Sequence, residues 1–298
     1  MTMTSITHVG PESVSVSLPD RSTSTVLLFA PGETTQPAKP LVVIWPGFGM
    51  GARYFKPMAR WLRDHGFPSA IGELRGQGTS TASASRRSSW GYHTMVTEDY
   101  PLTIAAAKEV LGLPPGHPVV LLTHSMGGQI GSLFLSSPAA QEQNVIGMMG
   151  VGTGSPYWRS FTGRPKWRVG IGAPVMAAVS RVLGFWPGGR FDLAGYGRQA
   201  GLHVREWAKL SRTNSFSHIA GADYETATTE VTVPVLLTRF ANDEDCSLES
   251  AQALAIHLPA AHPAVEELDG GLGHNKWARS PEVVGRRFVR FYEEKLRG

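Results

Sequence analysis

Residues 123–128 constrain the fold more than any other part of the chain. They read Thr-His-Ser-Met-Gly-Gly and lie between two segments of different periodicity. The preceding residues 118–122 form a short apolar run with adjacent valines, typical of a buried strand. The following residues 129–135 space their apolar side chains near the period of a helix. The glycines let such a turn close tightly, so we predict a strand, a sharp turn that presents Ser125, and a helix.

The chain on either side of this unit alternates between strand-like and helix-like segments. Strands are predicted at 14–18, 25–29, 41–45, 69–74, 118–122, 145–151, 233–238 and 264–268. Helices are predicted at 54–65, 100–111 and 281–296. The first two strands are expected to pair antiparallel, and the later alternation predicts a mostly parallel sheet with helices on both faces.

The serine turn resembles the nucleophile elbow of the α/β-hydrolase family, which reads Gly-x-Ser-x-Gly. Thr123 stands in place of the first glycine of that pattern, and Gly127 matches the second. Residues 73–80 are similar to a second segment common in this fold, Asp-x-Arg-Gly-x-Gly-x-Ser, whose arginine braces turns near the site. The resemblance implies a nucleophilic role for Ser125, while the alternative is an ordinary helix N-cap.

An aromatic-rich stretch with many prolines and glycines interrupts the alternation after the sixth predicted strand. The α/β-hydrolase resemblance implies a mostly parallel central sheet flanked by helices, with an inserted helical cap at this position. We therefore predict a hydrolase core in residues 1–154 and 222–298 and a cap or lid in residues 155–221. Residues 154–159 and 186–190 resemble a bacterial branch of serine-aminopeptidase- and lysophospholipase-like hydrolases.

A serine nucleophile needs a base and an acid that orients the base, and this family orders them as serine, acid, histidine. His274 follows a glycine-rich run between the last predicted strand and the last predicted helix, so it is the expected base. The carboxylates of Asp243, Glu244 and Asp245 follow the strand at 233–238. The family pattern selects Asp243 as the acid, with Asp245 as the alternative. The non-functional alternative is that these carboxylates form a solvated acidic turn.

Acyl transfer also needs two donors directed at the developing oxyanion. The first expected donor is the backbone N–H of Met126, directly after the serine. The second is the backbone N–H of Phe48, in the glycine-rich loop after the third predicted strand. Pro46 stands in this loop where the family tends to have a histidine, which puts the bracing of the loop in question.

Composition excludes several classes of protein. An apolar content of 42% with 17% charged residues indicates a globular chain with a sizeable core. Cys246 is the single cysteine, which rules out an intrachain disulfide and offers no zinc site. Residues 1–8 lack the basic and apolar regions of a secretory signal, and Pro174 interrupts the longest apolar stretch, 169–182. We expect a cytoplasmic protein without a transmembrane segment.

The net charge of +4 does not favour a nucleic-acid partner, but its distribution is uneven. Ten basic residues lie between positions 155 and 220, opposed only by Asp192 and Glu206. Such an excess could steer an anionic substrate or a lipid surface toward the protein, or it could be a solvated helix face.

Together these features predict a serine hydrolase that cleaves a carboxylic ester or a related lactone, thioester or amide through an acyl-enzyme. No cofactor or metal is expected, and the partner is a small acyl substrate with an apolar or aromatic portion. Two alternatives remain: an acyltransferase or cyclase that uses the same side chains, and a non-catalytic binding protein on the same fold. The oligomeric state stays open.

Overall fold

The computed structural model describes residues 12–32, 39–192, 195–217 and 219–297, so the expectation for residues 1–8 lies outside it. Its strands are β1 (Glu12–Ser17), β2 (Thr23–Phe29), β3 (Leu41–Trp45), β4 (Ser69–Ile71), β5 (Val119–His124), β6 (Val145–Val151), β7 (Phe185–Trp186), β8 (Gln199–Ala200), β9 (Val235–Phe240) and β10 (Ala264–Leu268).

The α-helices of the same residues are α1 (Lys56–Asp64), α2 (Tyr92–Thr94), α3 (Tyr100–Val110), α4 (Met126–Leu135), α5 (Pro138–Glu142), α6 (Gly163–Trp167), α7 (Ala173–Leu183), α8 (Gly201–Thr213), α9 (Tyr224–Ala227), α10 (Leu248–Ala255) and α11 (Glu282–Phe291). Short π-helical turns join α2 to α3 and α6 to α7. Across the described ranges, every helix is too short or too polar to cross a bilayer.

Eight strands form one sheet in the order β1-β2-β4-β3-β5-β6-β9-β10. Strand β2 pairs antiparallel with β1 and β4, and the remaining neighbours are parallel. Every residue of β3 and β5 is buried, as expected for central strands covered on both faces. The prediction of a mostly parallel sheet whose first two strands pair antiparallel is therefore confirmed.

The hydrophobic core lies on both faces of this sheet. Side chains alternate along a strand, so Val43 joins the core cluster on one face while Val42 and Ile44 join the cluster on the other. Trp45, at the end of β3, stacks on Tyr100 of α3 with ring centroids 3.7 Å apart and planes within 2°. This contact holds the helix over the end of the strand that precedes the loop of Phe48.

Residues 155–221 contain α6, α7 and α8, in keeping with the helices expected there, but they also contain a small antiparallel ladder. Strand β7 pairs with β8 through Phe185 with Ala200 and Trp186 with Gln199. The sequence predicted no strand in this stretch, because two-residue strands are too short to show periodicity. The boundaries of a separate cap stay a prediction.

Arg75 joins three separate segments of the core. Its Nε and Nη2 donate to Oδ1 of Asp99 at 3.1 and 2.8 Å, and its Nη1 donates to Oδ2 of Asp20 at 3.1 Å. Nη2 also donates to Glu98. Only 3% of the arginine side chain and 2% of that of Asp99 are exposed, and burial raises the pKa of Asp99 to about 6. The guanidinium therefore compensates a buried charge and braces the turn after β1 against the helical turn before α3.

We expect Arg75→Ala to lower the free energy of unfolding by about 3–5 kcal/mol, because the carboxylate of Asp99 would stay buried without its cation. The measurement is urea unfolding at neutral pH. The matched control is Arg63→Ala, which removes a pair with Asp64 whose side chains are 31% and 58% exposed. That control is expected to cost less than about 1 kcal/mol. Equal losses in the two variants would contradict the bracing role.

Candidate active site

Ser125 lies in the sharp turn between β5 and α4. Its backbone has φ 52° and ψ −123°, a conformation that side-chain-bearing residues rarely adopt and that requires support from the surrounding structure. The residue occupies the N-cap position of α4, but its side chain makes no capping hydrogen bond to the described helix. Ser125 therefore stands at the N-cap position without capping the helix through its side chain.

Glycines let this turn pack against the end of β3. A Cβ atom at Gly127 would lie 2.6 Å from the carbonyl oxygen of Pro46 and 2.8 Å from that of Trp45. A Cβ atom at Gly47 would lie 2.9 Å from Cβ of Ser125. All three distances are shorter than the contacts of a real Cβ atom, so the two backbone segments can approach this closely only with glycine at both positions.

The structure explains how Thr123 replaces the first glycine of the family pattern. Its side chain points toward α4, where Gly128 and Gly131 leave room for it. A Cβ atom at Gly128 would lie 2.8 Å from Oγ1 of Thr123, and one at Gly131 would lie 3.2 Å from its Cγ2. Threonine is larger than the glycine of the family pattern, and the two helix glycines provide the space that it needs.

Ser125, His274 and Asp243 come together at the carboxyl ends of β5, β10 and β9. Oγ of Ser125 lies 3.0 Å from Nε2 of His274, and Nδ1 of His274 lies 2.9 Å from each carboxylate oxygen of Asp243. Parallel strands end at one edge of the sheet, which brings together side chains that are distant in the sequence. When Nδ1 carries its proton toward Asp243, Nε2 is left free to accept the serine proton.

Asp243 is held firmly in its orientation. Its side chain is fully buried, and its Oδ1 accepts hydrogen bonds from the backbone N–H groups of Asp245 at 2.8 Å and Cys246 at 2.9 Å. Gly152 packs against the same pair, because a Cβ atom there would lie 3.0 Å from both Oδ2 of Asp243 and Nδ1 of His274.

The other two carboxylates of this turn point elsewhere. Asp245 pairs with Arg168, and Glu244 is exposed. Donor atoms of Asp243, Asp245 and His274 all lie within 4.8 Å of one another, close enough for a metal ion. In this structure His274 and Asp243 bond to each other and Asp245 faces a guanidinium, so these donors already have partners.

The two expected oxyanion donors lie beside the serine turn. Among the described residues, the backbone N–H groups of Phe48 and Met126 have no hydrogen-bond acceptor. The ring of Phe48 packs against Tyr196 and Trp207, with centroids 4.5 and 5.6 Å away. These aromatic contacts brace the loop in which Pro46 replaces the family's histidine.

A cavity of about 240 Å³ opens above Ser125 and His274. Part of its wall is apolar or aromatic and includes Phe48, Met50, Phe161, Val169, Tyr196 and Trp207. Gln129 and the ion pair of Arg168 with Asp245 supply polar groups. Residues from both sides of position 155 therefore line one cavity.

Two neighbours of the site, His124 and Asn275, were not predicted from the sequence. His124 is buried, and burial lowers its pKa to about 3. Its Nδ1 lies 3.1 Å from the carbonyl oxygen of Val151, and its Nε2 lies 3.1 Å from the side-chain oxygen of Asn275. A neutral imidazole has one N–H and donates to one of these oxygens, so the ring of His124 lies between the serine turn and the loop of His274 with a single hydrogen bond. The only sequence signal for Asn275 is its position next to His274.

The strand order, the parallel core of the sheet and the serine turn after β5 define an α/β-hydrolase fold. Residues 36–184, half of the chain of 298, match the family described as serine aminopeptidase, S33. The chain belongs to this family. No curated protein sequence matches it significantly.

Solved structures share this fold at low sequence identity. A soluble variant of monoglyceride lipase from Saccharomyces cerevisiae is 13% identical, with a TM-score of 0.66 and 97% of each chain covered. An esterase from Exiguobacterium antarcticum is 18% identical, with a TM-score of 0.59 over 94% of this chain and 99% of that chain. The esterase domain of a Rhodothermus marinus protein is 16% identical, with a TM-score of 0.60 over 96% and 99%.

We expect Gly152→Ala to slow the reaction of Ser125 with a fluorophosphonate by about 100-fold, because the added methyl group displaces the Asp243–His274 pair. The control is Gly112→Ala: both glycines have positive φ, 58° and 64°, but a Cβ atom at Gly112 meets nothing within 4 Å. The two variants therefore share the backbone strain and differ in the contact. Similar labelling rates in both would show that the contact at position 152 is unimportant.

Proposed function

We propose that this protein is a serine hydrolase that cleaves carboxylic esters or related acyl bonds through Ser125, His274 and Asp243. The observation that carries the proposal is the continuous hydrogen-bonded chain from hydroxyl to imidazole to buried carboxylate, at 3.0 and 2.9 Å. A serine hydroxyl is a weak nucleophile until such a base takes its proton. The strained backbone at Ser125 supports the same interpretation, because strain of this kind concentrates at functional sites.

The proposed reaction has two halves. Oγ of Ser125 attacks the substrate carbonyl carbon while Nε2 of His274 takes the hydroxyl proton, and the imidazolium then protonates the leaving alcohol. This leaves an acyl ester on the serine. Water, deprotonated by His274, attacks that ester and releases the carboxylic acid and the free hydroxyl. Asp243 orients the ring through Nδ1–H and stabilises the imidazolium without taking a proton.

The backbone N–H groups of Phe48 and Met126 are the proposed oxyanion donors. Met126 begins α4, so its amide also lies at the positive end of that helix dipole. An anionic tetrahedral intermediate on Ser125 would form beside this helix end, where negative charge is favoured. Each donor of this type is worth about 3 kcal/mol of the barrier.

The cavity wall favours a substrate with an apolar or aromatic portion. Phe161, Val169 and Trp207 line it, and its charged margin is an ion pair with no net charge. The fold neighbours include proteins named as a monoglyceride lipase and an esterase, which fits acyl esters as the substrate class. Esters of graded acyl chain length test this preference directly.

We expect Ser125→Ala to lower kcat on a p-nitrophenyl ester by roughly 10⁴-fold or more, because the acyl acceptor is gone. Fluorophosphonate labelling of the purified protein should disappear in the same variant. Circular dichroism checks that the fold is kept. Labelling that persists at another residue, or full turnover in the variant, would end the proposal.

We expect Asp243→Asn to lower kcat by about 10⁴-fold, because an amide in this position favours the wrong tautomer of His274. The matched control, Glu244→Gln, removes the neighbouring exposed carboxylate and should leave kcat within a few-fold of the parent protein. Asp245→Asn decides between the two candidate acids. A larger loss in that variant than in Asp243→Asn would reverse the assignment.

A further inference from the structure

The helical stretch 163–183 presents an apolar face to the surface. Trp167, Ile171, Val175 and Val182 are 68%, 54%, 51% and 69% exposed. Their spacings of four, four and seven residues place them on one side of a helix. The opposite side, with Val169, Ala173 and Met176, is buried. A surface helix normally turns polar side chains outward, so an outward apolar stripe calls for a partner.

Helix α8 places a row of cations next to this stripe. Arg205, Lys209 and Arg212 are spaced four and three residues apart and therefore share one side of the helix. Together with Arg181 of α7, they line a groove of about 500 Å³ between the two helices. A second groove, of about 370 Å³, is lined by Arg212 together with Trp167 and Ile171. The apolar row and the basic row are therefore parts of one continuous surface.

We call this surface the outer face of the 155–221 segment. It comprises the apolar residues Trp167, Ile171, Val175 and Val182 and the basic residues Arg181, Arg205, Lys209 and Arg212.

One carboxylate, Glu206, lies close to the basic row: burial is the larger effect on its pKa and raises it to about 7, while the charge of Arg205 acts to lower it. Within the described ranges, none of the four cations forms an ion pair, since the arginines that do are at other positions. The segment has two carboxylates, Asp192 and Glu206. Asp192 accepts hydrogen bonds from the indole of Trp186 and from nearby backbone amides. Glu206 reaches the groove but is buried, and it accepts the backbone N–H of Tyr92 at 2.7 Å.

We propose that the outer face binds the surface of an anionic phospholipid bilayer. Apolar side chains beside a row of Arg and Lys are the combination by which a helix lies in a membrane interface, with the former among the acyl chains and the latter against the headgroups. Trp167 is suited to this level of the bilayer, because an indole is both apolar and a hydrogen-bond donor. A second copy of the chain fits less well, because two such faces would bring their positive rows together.

Docking in this orientation has a consequence for the cavity. Arg168 and Val169 of the same helical stretch line the cavity above Ser125, directly after the exposed Trp167 in the sequence. The bilayer would therefore lie beside a wall of the substrate cavity, which favours an acyl substrate that partitions into lipid. This consequence rests on the proposed function, whereas the docking does not.

The test uses Ser125→Ala protein, so that lipid turnover cannot affect binding. Sedimentation with phosphatidylcholine vesicles and with vesicles containing phosphatidylglycerol measures the partition coefficient. We expect at least about tenfold tighter binding to the anionic vesicles, reduced at high salt. Failure of ester hydrolysis in the parent protein would leave this measurement unaffected, so the two proposals fail separately.

Two pairs of variants locate the binding surface. Val182→Asp should weaken binding to anionic vesicles about tenfold. The control is Ile256→Asp, which should not weaken it: Ile256 directly follows α10 and is 67% exposed, compared with 69% for Val182. Lys209→Glu with Arg212→Glu should weaken it at least about tenfold. The control for that charge change is Arg286→Glu with Arg290→Glu on α11, where both residues are exposed.

Several outcomes would overturn the proposal. One is an absence of binding to anionic vesicles, and another is equal weakening by the control variants. A concentration-dependent dimer without lipid that Val182→Asp disrupts would identify a second copy as the partner. Binding to polyaspartate but not to vesicles would point to an acidic protein. Thermal unfolding of each variant confirms that the compared proteins are folded.

Discussion

The close approach of the serine turn to the end of β3 is the constraint on which the site depends. Gly127 lies against the backbone of Trp45 and Pro46, and Gly47 lies against Ser125. A methyl group at either position would separate the two segments. This contact brings the loop of Phe48 beside the hydroxyl, so the candidate nucleophile and a candidate oxyanion donor are positioned by one packing arrangement.

The parallel sheet supplies the second constraint. Strands β5, β9 and β10 end at the same edge of the sheet. Asp243 and His274 therefore meet Ser125 there, although both are more than 100 positions from it in the sequence. Local contacts then orient the groups. Backbone amides hold the carboxylate of Asp243, and the buried ring of His124 packs against that of His274, with centroids 4.7 Å apart. The site is thus set by the sheet and refined by groups that take no part in the chemistry.

The segment 155–221 has two sides with different properties. Its inner side places Tyr196 and Trp207 against Phe48 and lines the cavity with Val169. Its outer side exposes Trp167 and its neighbours beside a basic row. The same segment therefore braces the loop beside Ser125 and carries the outer face. It physically connects the cavity to that face.

Local periodicity determined the strand–turn–helix unit around Ser125, the alternating order of strands and helices, and the position of the irregular stretch. These features depend on neighbouring residues, so the sequence alone predicts them. The motif at 123–128 also implied the fold through its resemblance, despite Thr123. The replacement is tolerated because Gly128 and Gly131 provide space, a fact of helix packing that no motif encodes.

Only the tertiary structure distinguishes the surroundings of Asp243 from those of Asp245, because two carboxylates so close in the chain have the same local context. Their difference lies in distant partners, His274 for one and Arg168 for the other. The β7–β8 ladder and the contact of His124 with Asn275 are of the same kind. Sequence periodicity reports which face of an element is buried, whereas the identity of the group on the other side of a contact depends on how the whole chain packs.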